Sequence, residues 1–151
     1  MTVLTALIAA EMLSLSCVVE PPRNVFIEGE TVNSSLIGLP PSMNNWKFDL
    51  LLRPGEDGTE VTLNWPGDPI RAGKALAALS IGPHDYSFVS MHSGPCLFTK
   101  TSCMFLYTVS EQADGYADIL IQPGALGSDG DRSKPFQAFM TGRCSPKLAA
   151  K

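Results

Sequence analysis

Alternating apolar and polar residues predict short antiparallel strands in the middle of the chain. The clearest alternation covers residues 60–65, where Val61, Leu63 and Trp65 share one face and polar residues occupy the other. A period of two residues is typical of a strand with one buried face and one solvated face. The same period recurs in residues 104–109, so we expect two half-buried strands here that belong to antiparallel sheets.

Further strands are predicted where apolar or β-branched runs are bounded by turn residues. They cover residues 17–19, 25–28, 31–39, 46–53, 85–91, 116–122 and 136–144. Asp114-Gly115 is a strong signal for a tight hairpin, and Gly29-Glu30 indicates another. A single helical turn is predicted over residues 69–73, where Asp68 can cap the N-terminus. Residues 75–81 fit either a strand or a helix.

This arrangement predicts an all-β fold. About eight to ten short strands with frequent turns are typical of a small antiparallel β-sandwich or an incomplete barrel. The 13 glycines and 12 prolines favour many turns over long helices. Strands do not alternate with helices along the chain, which argues against a doubly wound parallel sheet.

The N-terminus has the layout of a secretory signal peptide. Val3–Ala10 is an apolar run, and Ser14 and Ser16 place small residues at positions −3 and −1 before Cys17. We therefore predict that the chain is secreted or periplasmic. Two alternatives remain. The run could be a buried strand or helix of a domain that is not exported, since no Lys or Arg precedes it. Cys17 could also carry a lipid anchor.

The domain organisation follows from this interpretation. Residues 1–16 would be the signal peptide, residues 17–144 a single β-rich domain, and residues 145–151 a flexible tail. The net charge of the whole chain is −4, and removal of residues 1–16, which contain Glu11, would leave 11 positive and 14 negative charges, or −3. This mild acidity predicts no nucleic-acid partner and no binding to anionic membranes. The apolar run is also too short for a stable membrane span.

If the protein is exported, its four cysteines are expected to form two disulfide bonds, because disulfides persist in oxidising compartments. Four cysteines allow three pairings. Cys96 and Cys103 enclose a short loop, whereas Cys17 lies on the predicted first strand and Cys144 ends the predicted last one. We therefore favour the pairs Cys96–Cys103 and Cys17–Cys144, and we call the disulfide-bounded loop, residues 92–103, the stapled loop.

Catalytic signals are weak. The two histidines, His84 and His92, lie beside Asp85 and Ser93 respectively. A catalytic Ser-His-Asp triad would need a serine, a histidine and an aspartate side chain to lie within hydrogen-bonding reach of one another. A straight strand over residues 85–91 would keep them apart. A zinc site formed by both histidines and two of the cysteines would not match the usual ligand spacings. No cofactor motif is found, so we predict no catalytic residues, no metal and no cofactor.

Binding is therefore the favoured function. The candidate binding residues of the stapled loop are His92, Leu97, Phe98 and Lys100. Trp65 lies at a strand end, where it could line the mouth of a ligand site. We predict a non-catalytic role in binding an envelope or extracellular protein or a glycan. Two alternatives remain: a small secreted hydrolase that uses His84 or His92, and an envelope assembly subunit that pairs through a sheet edge.

Overall fold

The computed structural model describes residues 12–27, 29–33, 46–55, 58–65, 73–74, 77–80, 84–92, 103–125 and 136–147. These residues form strands and turns and contain no helix. The strands are β1 (Leu13–Val19), β2 (Asn24–Ile27), β3 (Glu30–Asn33), β4 (Trp46–Gly55), β5 (Gly58–Asn64), β6 (Gly73–Lys74), β7 (Ala77–Ser80), β8 (Asp85–His92), β9 (Cys103–Glu111), β10 (Ala117–Ala125), β11 (Phe136–Ala138) and β12 (Met140–Pro146). The all-β prediction is confirmed.

Eight of the strands form an incomplete antiparallel barrel. Along the hydrogen-bonded ladders their order is β7-β8-β9-β10-β12-β1-β4-β5. Strand β5 then comes back into contact with β7, although no ladder joins these two strands within the described ranges. The sheet therefore curls until β5 contacts β7, and the two-residue strand β6 pairs with β5 at that end of the hydrogen-bonded order.

A three-stranded extension, which we call the small sheet, continues from the barrel. Its strands are ordered β3-β2-β11, and β11 pairs with Gly124 and Ala125 at the end of β10. The predicted single strand over residues 136–144 is thus two strands. The chain pairs with β2 before Phe139 and with β10 and β1 after it. Phe139 lies at this switch between the small sheet and the barrel.

Aromatic side chains fill the barrel. Phe48 stacks on Trp65 with ring centroids 4.3 Å apart, and Phe88 stacks on Tyr107 at 4.7 Å. Trp46 meets Trp65 edge to face at 5.2 Å. All five rings are buried, because the period of two residues in each strand sends alternate side chains into the barrel. A second, smaller apolar cluster lies on one face of the small sheet and consists of Val25, Ala138, Ile27 and Val32.

Strand β1 begins four residues before Cys17, the predicted start of the domain. Strand β1 begins at Leu13 and pairs with β4 from that residue onward, and Leu15 is completely buried. The predicted end of the signal peptide, between residues 16 and 17, therefore falls inside β1. Ser14 and Ser16 occupy alternate positions of this strand. The same spacing matches the two small residues of a signal-peptidase site, which is why the sequence predicts cleavage there.

The C-terminal boundary lies later. Strand β12 continues to Pro146, which pairs with Leu15. The backbone N–H of Lys147 donates to the carbonyl oxygen of Ser14 (2.8 Å), and its ammonium group donates to a carboxylate oxygen of Asp49. The predicted flexible tail at 145–151 is thus corrected for residues 145–147, which are held by β1 and β4. Residues 148–151 lie outside the described part of the chain.

Three other sequence predictions concern short segments. Residues 75–81, which fitted either a strand or a helix, contain strand β7, so the strand interpretation is correct. Most of the predicted helical turn at 69–73 lies outside the described residues, and its last residue, Gly73, begins β6. Hairpins form at both places, but the one at Asp114-Gly115 turns through five residues, 112–116, rather than the predicted two. Gly29 and Gly115 take positive φ angles of 90° and 82°. Glycine adopts such angles at little cost.

Gly142 packs β12 tightly against β1, and alanine is expected to be poorly tolerated there. A Cβ atom at this position would clash with the carbonyl oxygen of Val18 and lie 2.7 Å from Cα of Val19. Both are backbone atoms that cannot move aside without disturbing the ladder. We expect Gly142→Ala to lower the free energy of unfolding by about 2–3 kcal/mol, measured by urea denaturation. Thr141→Ala, at the exposed neighbour, should change it by less than about 1 kcal/mol. Equal midpoints for the two variants would contradict this packing.

Candidate functional site

The predicted binding loop is largely outside the described residues. Leu97, Phe98 and Lys100 belong to the undescribed range 93–102, as does Cys96. His92 ends β8 opposite Cys103, the first residue of β9, and the structure describes only the backbone at both positions. A binding role of the loop and the Cys96–Cys103 pairing both stay predictions.

Trp65 is part of the aromatic core. Only 5% of the residue is exposed, and its ring stacks on Phe48 and meets Trp46 edge to face. It follows the last residue of β5 and faces the barrel interior, as the alternation of residues 60–65 predicts. These contacts account for Trp65 through packing, and its participation in a ligand mouth stays a prediction.

His84 lies at a bend before β8 and pairs with Glu111. Its Nδ1 is 3.3 Å from a carboxylate oxygen of Glu111, and its carbonyl oxygen accepts a hydrogen bond from the backbone N–H of Glu111 (2.9 Å). The His84 side chain is 67% exposed, so water screens the pair and its contribution to stability is small. Burial, followed by the charge and hydrogen bond of Glu111, raises the pKa of nearby Tyr86 above its ordinary value.

The two histidines do not converge. Asp85 and His92 stand at opposite ends of β8, paired with Ser110 and Cys103 respectively, and seven strand residues span roughly 23 Å. Asp85 therefore cannot orient His92. Within the described residues, no group of three or more His, Cys, Asp or Glu side chains is placed to hold a metal ion. A hydrolase that uses either histidine stays a prediction.

The disulfide between Cys17 and Cys144 is present and buried. The two cysteines face each other on neighbouring strands β1 and β12, and neither is exposed to solvent. Because the sulfur of Cys17 is bonded to Cys144, it is not available for a thioether lipid. The lipid-anchored alternative for Cys17 is therefore incompatible with this structure.

A groove lies on the outer face of the small sheet, on the side away from its apolar cluster. Its floor is formed by side chains that alternate with the buried or partly buried residues of β2, β3 and β11. Phe26 pairs across the ladders with Thr31 on one side and Gln137 on the other, so these three side chains share the outer face. Phe139 follows Gln137 by two residues and is 54% exposed, so it is the most accessible aromatic ring of the groove.

The groove has two depressions that share Asn24 and Phe139. The smaller, of about 220 Å³, is lined by Asn24, Val25, Phe26, Thr31, Gln137 and Phe139. The larger, of about 460 Å³, is lined by Glu20, Pro21, Arg23, Asn24, Phe139 and Thr141. The larger one falls in the range of small-molecule binding sites, roughly 300–1,000 Å³. The exposed ring of Phe139 therefore stands between two adjoining concavities. We call this surface the Phe139 groove.

The polar groups of the Phe139 groove are mostly neutral. Asn24 and Gln137 carry amides, and Thr31 and Thr141 carry hydroxyls, all of which both donate and accept hydrogen bonds. The charged side chains are one carboxylate, Glu20, and one guanidinium, Arg23. Their formal charges cancel, so the groove favours neither anions nor cations by charge alone. Its chemistry combines an apolar ring with hydrogen-bonding groups of both kinds.

Sequence reasoning missed Phe139. Residues 136–144 are predicted only as one closing strand, and Phe139 is given no role. The available signal was the alternation itself, because Gln137, Thr141 and Arg143 occupy every second position and Phe139 falls among them. A large aromatic residue on the polar face of a strand is a better candidate for binding than one on the apolar face.

Comparison of the chain with protein-family models, with curated proteins and with solved structures finds no match. The function is therefore inferred from the residues of this chain. The described part of the protein holds no helix of the length and apolar character needed to cross a bilayer. Strand β3 lies at one end of the sheet order, and the predicted assembly through a sheet edge stays a prediction.

Proposed function

We propose that the protein is an exported, non-catalytic binding domain whose ligand occupies the Phe139 groove. The observation that carries this proposal is the position of Phe139, a ring that is more than half exposed and that lines both of two neighbouring depressions. Single exposed apolar residues are common on protein surfaces and need no explanation. An exposed ring flanked by concave, polar-lined space is different, because it combines the features of a ligand site.

The barrel gives this groove a rigid base. Ala138 and Met140, the neighbours of Phe139 in the chain, are both about 1% exposed. The backbone that carries the ring is thus fixed on both sides by packing, so ligand binding would cost little conformational entropy at this position. Binding sites supported by rigid elements lose less conformational entropy when the ligand docks.

Export is supported by the disulfide and by the N-terminal sequence. Disulfides persist in secreted and periplasmic proteins and are rare in the cytosol, and Cys17–Cys144 is formed and buried. The apolar run Val3–Ala10 is consistent with a leader that precedes β1. We place the protein in the periplasm or the extracellular space on these two grounds.

The binding proposal is tested with the oxidised protein and a panel of two probe classes, neutral oligosaccharides and hexapeptides, by two-dimensional amide NMR. We expect saturable shifts of resonances from β2, β11 and the start of β12 with at least one class. Phe139→Ala should weaken that binding by about tenfold or more. Met104→Ala removes another exposed side chain, outside the groove, and should leave the affinity unchanged. Absence of saturable shifts with both classes, or unchanged binding by Phe139→Ala, would contradict the proposal.

A further inference from the structure

We propose that the ligand of the Phe139 groove is a neutral saccharide chain, an inference that rests on the proposed function and adds the ligand class. A pyranose ring presents polarised C–H groups on its faces and hydroxyl groups at its rim. A site that recognises it needs an aromatic face for the first and groups that both donate and accept hydrogen bonds for the second. The Phe139 groove supplies both within a single surface.

The ring of Phe139 supplies the aromatic face. The face of an aromatic ring carries partial negative charge, and C–H groups next to ring and hydroxyl oxygens carry partial positive charge. Phenylalanine has no hydroxyl or N–H of its own, so its exposed area offers a ligand only this face and its apolar edge. Phe26, half-buried in the same groove, extends the apolar floor beside it.

Amides and hydroxyls surround this floor. Asn24 lines both depressions, Gln137 and Thr31 line the smaller one, and Thr141 lines the larger one. Each amide offers a donor and an acceptor in one plane, which suits a pair of neighbouring sugar hydroxyls. These four side chains are short or planar, and all four are placed on strands, namely β2, β3, β11 and β12.

Charge and backbone pairing favour a sugar over the alternatives. The opposite charges of Glu20 and Arg23 cancel, so the groove gives an anionic ligand such as a phosphate no net attraction. An extended peptide often binds by adding a strand to an open edge. The groove lies instead over β2 and β11, and β2 is paired on both sides, with β3 and β11. Its floor therefore offers side chains rather than free backbone groups.

The two depressions suit a chain rather than a single sugar unit. They adjoin each other at Asn24 and Phe139, so a ligand that fills both must pass over the ring. We therefore expect affinity to rise with chain length from a disaccharide to a tetrasaccharide, as successive units occupy the second depression.

The test measures the affinity of cellohexaose, xylohexaose, mannohexaose and chitohexaose for the oxidised protein, beside a hexapeptide set, by isothermal titration and amide NMR. Three variants of the same residue separate the kinds of contact. Phe139→Trp keeps an aromatic face, Phe139→Leu keeps an apolar side chain without one, and Phe139→Ala removes both. Because Phe139 is exposed, all three variants should fold, which the NMR spectrum verifies.

We expect at least one hexasaccharide to bind saturably, with retained or tighter binding by Phe139→Trp and about tenfold weaker binding by Phe139→Leu and Phe139→Ala. Asn24→Ala should weaken it by about threefold to tenfold, and Met104→Ala should not change it. Binding of hexapeptides alone would overturn the saccharide inference and leave the proposed binding function standing. Equal saccharide affinity for Phe139→Leu and the unmodified protein would overturn ring stacking. Failure of both probe classes would overturn both proposals.

Discussion

Replacing Cys17 and Cys144 together by alanine is expected to lower the free energy of unfolding by about 5 kcal/mol. The bond joins the first and last described strands across a sequence separation of 127 residues, and closing so long a loop removes much of the entropy of the unfolded chain. Alanine avoids placing a polar hydroxyl at two positions that have no solvent exposure. The ladder between β1 and β12 remains in the variant, so the fold should be retained with reduced stability.

This effect is measured by urea denaturation of the variant and of the unmodified protein, the latter with and without reductant. The reduced protein should resemble the double variant, because both lack the bond and differ only in two sulfur atoms. Only the oxidised unmodified protein should show the higher midpoint. A loss below about 1 kcal/mol in the variant would show that the disulfide adds little to what the β1–β12 ladder already provides.

Phe48→Ala is expected to cost about 3–5 kcal/mol, the range found when large aromatic residues are removed from cores. Phe48 is 2% exposed and lies between the ring of Trp65, at 4.3 Å, and that of Tyr107, at 6.2 Å. Its removal leaves a cavity at the centre of the aromatic cluster. Phe48→Leu keeps most of the volume and should cost less than about 1.5 kcal/mol.

Chemical denaturation followed by tryptophan fluorescence measures both the stability and the local environment. Trp65 loses its stacking partner in Phe48→Ala, so its emission should change in the folded state as well as on unfolding. A stability loss of less than about 1 kcal/mol for Phe48→Ala, or equal losses for alanine and leucine, would be inconsistent with a tightly packed barrel interior.

The fold class could be predicted because alternation is a local property. Residues 60–65 and 104–109 show a period of two that only a half-buried strand satisfies, and both lie on strands whose odd-numbered residues fill the barrel. The Cys17–Cys144 pair was also predictable, since the two cysteines lie at the ends of the same domain. The disulfide links adjacent strands, which is the geometry that this placement favours.

The exact start of the domain could not be predicted from the same signals. Leu13, Leu15, Cys17 and Val19 alternate with small or exposed residues, and this pattern fits both a strand and the end of a secretory leader. In the structure, residues 13–16 belong to β1 and pair with the distant segment 46–52, and the position of a leader cleavage site stays a prediction. Long-range pairing of this kind leaves no local mark in the sequence.

The candidate site was hard to predict for a similar reason. Phe139, Asn24 and Thr31 are far apart in the chain, and they share a surface only because β11 pairs with β2 and β2 with β3. No motif spacing connects them. Sequence reasoning selected residues that were close to one another or to a cysteine, and it could not detect a groove built across three strands.

The domain is proposed to be exported and to be closed by a disulfide bond in the cell. Both points are tested most directly by measuring the intact, non-reduced mass of the protein recovered from the envelope or medium of cells that express the full chain. We predict a processed chain that still contains Leu13, because β1 begins there, and a mass lowered by the hydrogens lost to the Cys17–Cys144 bond. Recovery of the unprocessed chain from the cytosol, with Cys17 and Cys144 both open to alkylation, would contradict the account.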